Sequence, residues 1–388
     1  MEPWYDEGAE AQARAYERAQ GLLFLGRFAL LFALAGMFWG SGASRALGEG
    51  LRRHLSFPYA WPLVHLAFTS LAVFGYEALL FPLSVRAHYS LEKAYGRLTG
   101  GFGEWLRSYL VTLLFEIGLM AGGFTTLVAL MRVFPSVWWL LATALYGALV
   151  LGLGEWAPAH LLPRLRPPRP ADDPDLEEDL RKLGRAAGFE MTGAAWWDFE
   201  HQEELESVRL VGRGRRRRAV YSEWAWRNLS RPARVFLAAR RMYWLLNRRV
   251  RAVQGLQLVL AAGVFLGGGW MADWAARGRG LPGATAPEAF PFLVVALFGC
   301  AAVAGMAEHA VARWMELRAD AFALRYAGGA ERLLECLREE FRQEPFAAEV
   351  PAWQVWLLRR QPTAARRAAR ASPRAPARES EGGGTRAD

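Results

Sequence analysis

Six stretches of this chain are apolar for about 20 residues each: 21–40, 62–83, 106–131, 137–157, 252–274 and 287–308. A helix of that length crosses the hydrocarbon core of a bilayer, which is about 30 Å thick. The pattern predicts a mainly α, polytopic membrane protein of about six transmembrane helices. Among the charges within the runs are Arg27 in the first and Glu116 in the third. A charge in lipid is costly, so both are expected to face the bundle interior or to snorkel. The first run has acidic residues before it and no clear cleavage site after it, and reads as a retained span rather than a signal peptide.

Between the fourth and fifth runs the pattern changes. A proline-rich exit, LLPRLRPPRPADDPD, leads to DLEEDLRKLGRAAGF, where Leu176, Leu180 and Leu183 recur on one side of a helix. MTGAAWWDF and LESVRLVGRGRRRRAVYSEWAW read as strands, with a tight turn at Gly212–Gly214. RPARVFLAARRMYWLLNRR returns to helical spacing, with Pro232 near its first turn. Beyond about residue 360 the chain is basic, rich in Pro, Ala and Gly and poor in apolar residues, the composition of a disordered tail. The divisions that follow are a four-span membrane domain (1–157), a cytoplasmic α+β region (158–251), two further spans (252–308), a helix (309–345) and a basic, partly disordered tail (346–388).

Composition changes this picture little. The chain is 53% hydrophobic with 17 Trp, as membrane spans require, and its net charge is +9. Only Lys93 and Lys182 are lysines, so the excess of arginine reads as genomic composition. The run RGRRRR at 213–218 suits anionic headgroups, at about 1 kcal/mol per arginine near the surface; no nucleic-acid partner is expected. The two cysteines, Cys300 and Cys336, support neither a disulfide framework nor a cysteine zinc site. Arg240, Arg241, Arg248, Arg249 and Arg251 lie directly before the fifth span. By the excess of positive charge at that flank, both termini and the large loop are placed in the cytoplasm, with a bacterial inner membrane as the expected setting.

Candidate chemistry centres on ARWMELRADAFAL, residues 312–324, where Glu316 and Asp320 are four residues apart and so share a helix face. Such a pair is either half of a metal site or part of an ion-pair network with local arginines such as Arg313 and Arg318. His309, seven residues before Glu316, opens a third reading, a metal site of His309, Glu316 and Asp320. The six histidines, His54, His65, His88, His160, His201 and His309, include no pair at i, i+4, so the chain has no His-Glu-x-x-His helix.

Four segments carry a resemblance. FPLSVRAHYSLEKAYGRLTGGFGEWL (81–106), LGRAAGFEMTGAAWWD, GRGRRRRAVYSEWAW and RWMELRADAFAL follow one another in the order, and at the spacing, of the CAAX prenyl protease 1 family and its HtpX-like relatives, integral-membrane zinc metallopeptidases. The resemblance spans about 57 to 367. It implies a zinc ion held by two histidines of a His-Glu-x-x-His helix and by a later glutamate, with the intervening glutamate as general base. It assigns Glu316 to the third-ligand position and Asp320 to the position that orients a ligand histidine. It assigns the two histidine positions to Ala239 and Tyr243 and the base position to Arg240. Further departures are Glu223 for an aspartate, Ser207-Val208-Arg209 for a substrate-binding edge strand, and Gln361-Pro362 with Arg366-Arg367 for a downstream His-Pro and Glu-Arg. Of that last pattern only the proline and Arg367 remain.

The expectation is a membrane-embedded metallopeptidase homologue without catalysis and without zinc, in which Glu316 and Asp320 are residual. It would bind hydrophobic or membrane polypeptides as a regulator or adaptor. The alternatives are an active zinc endopeptidase with an unrecognised site and a lipid-binding membrane protein. Loss of zinc would leave Glu316 and Asp320 as uncompensated buried charge. Arg240, or failing that Arg241, is therefore expected within ion-pair reach of them, with the Tyr243 hydroxyl as a further donor.

Overall fold

The computed structural model describes residues 4–153, 167–197, 207–212, 214–246 and 249–371. The first apolar run lies in α1 (Glu7–Gly40). After α2 (Ala43–His54), the second run forms α3 (Trp61–Val85), which a π-turn and a last α-turn extend to Ala94. The third run forms α4 (Phe102–Val133). Two more, α9 (Arg249–Arg277) and α10 (Phe290–Tyr326), follow the extramembrane region. These five helices are long and apolar enough to cross a membrane, and the protein is an integral membrane protein. The fourth run appears as α5 (Trp138–Leu151), 14 residues long where the described segment ends. The first six residues of the proline-rich exit, 161–166, and His201 lie outside the described residues.

α10 has 37 residues. At 1.5 Å per residue it is about 55 Å long, so its apolar part, 290–308, is long enough to cross most of the bilayer and the rest projects beyond it. α4, α5, α9 and α10 pack around Leu127, Met131, Trp138, Ala272, Leu293 and Leu297. At the far end of the bundle, α2 is stapled to the start of α10. Ser44 Oγ donates to the Glu288 carbonyl at 2.8 Å, and Arg52 pairs with the buried Glu288 carboxylate.

Arg27 and Glu116 fare differently. Arg27 pairs with Glu77 of α3 at 3.0 Å, as expected of a charge facing the bundle. Glu116 is exposed rather than packed within protein. It lies seven residues, two turns, from Tyr109, whose hydroxyl is 3.4 Å from Glu77. Glu116 therefore shares a helix face with Tyr109.

The extramembrane region is α+β. Asp173 caps α6 (Pro174–Ala187), accepting from Leu176 N at 2.9 Å, and Leu176, Leu180 and Leu183 are buried along one face. The sheet holds β1 (Arg169–Pro170), β2 (Glu190–Trp197), β3 (Val208–Val211) and β4 (Arg216–Ser222) in the order β1-β2-β4-β3. β2 and β4 are parallel; the outer pairs are antiparallel. The turn between β3 and β4 needs glycine at 212, where φ is 135° and a Cβ would lie 3.3 Å from the Arg217 Cα. Arg217 staples the turn through the Gly212 and Gly214 carbonyls, and Arg218 donates to the Ala194 carbonyl. Two arginines of the basic run thus serve the hairpin.

After α7 (Glu223–Asn228), α8 (Arg231–Leu245) runs through the centre of the region, packed by α6, β3, α10 and α11 (Gly329–Gln343). The tail departs from expectation. α12 (Ala352–Leu358) and α13 (Ala364–Ala371) are helical, and Arg367 is buried. The composition pointed to disorder, but Ala364 and Ala368 pack into the core and the Arg367 charge is matched there, which supplies the ordering free energy.

Candidate functional site

α8 is set in place from both ends. Pro232 occupies its first turn, where a missing N–H costs nothing. The Ser230 N–H donates to Glu339 at 2.9 Å and its hydroxyl to Glu335 at 3.1 Å, so two carboxylates of α11 meet the positive end of the α8 dipole. Phe236, Ala238, Ala239 and Met242 are fully buried. Tyr243 packs on Met315 and Ala319 of α10. With those positions in the core, Arg240 points along the junction of α8 and α10.

Arg240 reaches both carboxylates. Its Nη2 donates to Glu316 Oε2 at 2.5 Å. Its Nε lies 2.8 Å from Asp320 Oδ1, but the N–H is not aligned on that oxygen, so this contact is ionic rather than a hydrogen bond. Arg367 of α13 approaches Asp320 from the other side, donating from Nε to Oδ2 at 3.0 Å and from Nη2 to Oδ1 at 3.3 Å. Such a two-bond fork is the strongest arrangement available to a guanidinium and a carboxylate. Arg367 also lies 3.9 Å from Glu340, and Arg370 donates to the Leu317 carbonyl at 3.2 Å. The Asp320 side chain is 0% exposed and Arg367 7%, whereas Arg240 is 15% and Glu316 21%.

The electrostatics follow from this burial. Desolvation pushes Asp320 upward, but the charges of Arg240 and Arg367, with the Arg367 hydrogen bonds, outweigh it and leave the carboxyl below its ordinary value. Desolvation likewise pulls Arg367 down, and Asp320 and Glu340 more than reverse it, so the guanidinium stays charged. Cys336, beside Glu340, is driven well above the usual thiol range by burial and by that carboxylate, and is an unreactive thiol.

Of the other residues singled out from sequence, Ala239 is buried and offers no donor. The Tyr243 hydroxyl makes no hydrogen bond to either carboxylate; its ring packs on α10 and lies under the Arg249 guanidinium at 4.1 Å. Arg241 lines the cleft. Arg313 and Arg318 are not partners of Glu316 or Asp320: Arg313 donates to the Val355 and Arg359 carbonyls, and Arg318 stacks on Trp314. His309 meets the Leu357 backbone instead of joining the carboxylates. Among the described residues, no three His, Cys, Asp or Glu side chains are grouped closely enough to hold a metal ion. The residue that sequence reasoning missed as a partner is Arg367. The signal was there, because Arg367 is the arginine that survives from the family's downstream pattern.

Above the carboxylates opens a cleft of about 1240 Å³. Ser207 and Val208 at the start of β3 border it, as do Trp224, Trp244 and Gln361. Among the described residues β3 pairs only with β4, so it forms one edge of the sheet. The charges around the cleft are matched in pairs: Arg97 with Glu344 at 2.9 Å, Arg227 with Glu223, and Arg359 with Glu17.

No protein-family description matches the chain. No curated protein matches it either. The fold does have a match, in the crystal structure of S. mikatae Ste24p, with a TM-score of 0.67 and 17% identity, covering 95% of this chain and 89% of that one. The resemblance to the CAAX prenyl protease 1 family, drawn from four short segments, is thus a resemblance of nearly the whole chain, which has the fold of the membrane metallopeptidase Ste24p.

Proposed function

We propose that this protein is a non-catalytic homologue of the Ste24p-type membrane zinc metallopeptidases, whose cleft binds hydrophobic or membrane polypeptides in a regulatory or adaptor role. One observation carries the reading: a guanidinium, Arg240, lies against Glu316 and Asp320. A catalytic zinc needs three protein donors and one open position for water. At the positions aligned with the two histidines stand Ala239, with no donor atom, and Tyr243, with its ring in the core. The third side chain, Arg240, is a cation that repels a metal from the remaining glutamate. The residues present do not fit zinc, and no carboxylate stands on α8 to take a proton from water. Arg240 and Arg367 replace the metal as counter-charge to Asp320.

The polypeptide reading rests on the cleft. It has room for an extended segment and an edge of the sheet at Ser207 and Val208, and its mutually paired charges leave no strong field to demand a charged ligand. The same reading sets the protein in a bacterial inner membrane with both termini in the cytoplasm. Metal analysis of detergent-purified protein, together with a peptidase assay with and without chelator, tests it. The expected outcome is zinc well below one equivalent and no chelator-sensitive cleavage. One equivalent of zinc with chelator-sensitive cleavage would overturn the reading in favour of an active endopeptidase; lipid rather than peptide recovered from the cleft would favour a lipid-binding role.

A further inference from the structure

The segment Val350–Leu358 is built inside out for a soluble surface. Its one polar side chain, Gln354, is 3% exposed and donates to the Glu17 carbonyl at 3.0 Å. Its apolar side chains, by contrast, are all at least partly exposed, and Trp356 is 58% exposed. A helix against water turns its polar residues outward and its apolar residues in. Helix α12 within this segment does the reverse, which is the arrangement expected where the surroundings are lipid.

Its position agrees. Trp353 packs on Gly21 of α1, where a Cβ would lie 2.9 Å from its ring, and Gly21 begins the first apolar run. On its other side α12 meets α10 just past residue 308, where that span ends. Glu308 itself pairs with Arg360 at 2.9 Å, and Arg313 donates to the Val355 and Arg359 carbonyls at 2.7 and 2.6 Å. The Arg313 guanidinium also lies 5.2 Å from the centre of the Trp356 ring, and the neighbouring Trp314, 55% exposed, carries Arg318 at 5.3 Å. Tryptophan with arginine at the level where spans leave the hydrocarbon is the composition of a membrane–water interface.

We infer that α12 is an interfacial helix whose Trp356 face lies among bilayer lipids at the boundary of the extramembrane region. The lipid surface thereby holds one wall of the cleft. The chain leaves α12 at Arg359, which pairs with Glu17, passes Gln361 and Pro362 on the cleft wall, and reaches Arg367 on Asp320. This inference does not depend on whether the protein is a peptidase.

Site-directed fluorescence in nanodiscs tests it. A polarity-sensitive label is placed by W356C and, separately, by A352C, each with Cys300 and Cys336 changed to alanine; E178C, on the exposed face of α6, is the control. At residue 356 the expected result is quenching by lipid spin-labelled near the headgroup at least about twofold stronger than by lipid labelled deep in the chain, with weak quenching by aqueous iodide. A352C should follow the same order, and E178C should respond to iodide alone. Strong iodide quenching at both 352 and 356, or shielding of both from every quencher, as a second copy or another protein would produce, overturns the inference.

Discussion

Helices α8 and α10 meet at one site yet bring opposite kinds of side chain to it. α8 brings Ala239, Arg240 and Tyr243, with no carboxylate or histidine; α10 brings two carboxylates, Glu316 and Asp320. The difference lies in what each helix owes to its surroundings. Ala239 and Tyr243 belong to hydrophobic contacts, where an apolar side chain of suitable volume suffices. Asp320 is fully buried and gripped by two guanidiniums, so it cannot be lost singly without stranding a charge. A position that only fills space tolerates change; one that anchors an ion network does not.

Substitutions that remove the network from each side sharpen this contrast. The largest effect is expected from Asp320→Asn, which strands Arg367 and part of Arg240 and should cost about 3–5 kcal/mol in denaturant unfolding of the extramembrane region. Arg367→Met leaves Asp320 its contact with Arg240, and should cost about 1.5–3 kcal/mol by the same measurement, the worth of hydrogen bonds to a charged group. If Asp320→Asn cost no more than a surface change, the proposed asymmetry between the helices would fail.

Rebuilding α8 tests the comparison from the other direction. The triple variant A239H/R240E/Y243H should bind zinc through the new histidines and Glu316. A239H/Y243H, with Arg240 kept, should bind at least about tenfold more weakly, a difference of about 1.4 kcal/mol that calorimetry resolves. Equal affinities would mean that Arg240 does not compete for the carboxylates. A smaller effect is expected from Glu316→Gln: its partly exposed pair with Arg240 is worth about 0–1 kcal/mol, so the unfolding midpoint should hardly move.

The smallest expected change is with pH. A carboxyl with a depressed folded value contributes stability above its unfolded value of about 3.9, and loses it only as pH falls through the lower folded value. The contact of α13 with α10 should therefore be unchanged from about pH 8 to pH 5 and fail only in stronger acid. Trypsin sensitivity at Arg366, Arg367 and Arg370 across that range is the measurement.

The membrane spans and the α6–sheet–α8 order were legible because burial has a simple signature: long apolar runs, leucines recurring along one helix face and glycine at a turn. The approach of Arg240 to Glu316 and Asp320 was legible because two carboxylates on one helix face call for a counter-charge from the helix packed against them. Composition misled at residues 360–371, where one buried Arg367 outweighs a stretch that otherwise reads as solvated. The Tyr243 hydroxyl was misjudged because an aligned position fixes a backbone site but not the rotamer, and here the ring fills space against Met315 and Ala319. The pairing of Arg313 with backbone carbonyls was invisible because its partners are 42 and 46 residues away in sequence.

α10 runs unbroken from Phe290 beside the buried Glu288 to Tyr326 in the extramembrane core. One continuous rod therefore carries paired charge near both of its ends. The register of α10 along the bundle is thus set twice, by Glu288 with Arg52 just before its start and by Asp320 with Arg240 and Arg367 near its finish, and sliding it by a single residue would stretch the ion pairs at both ends at once.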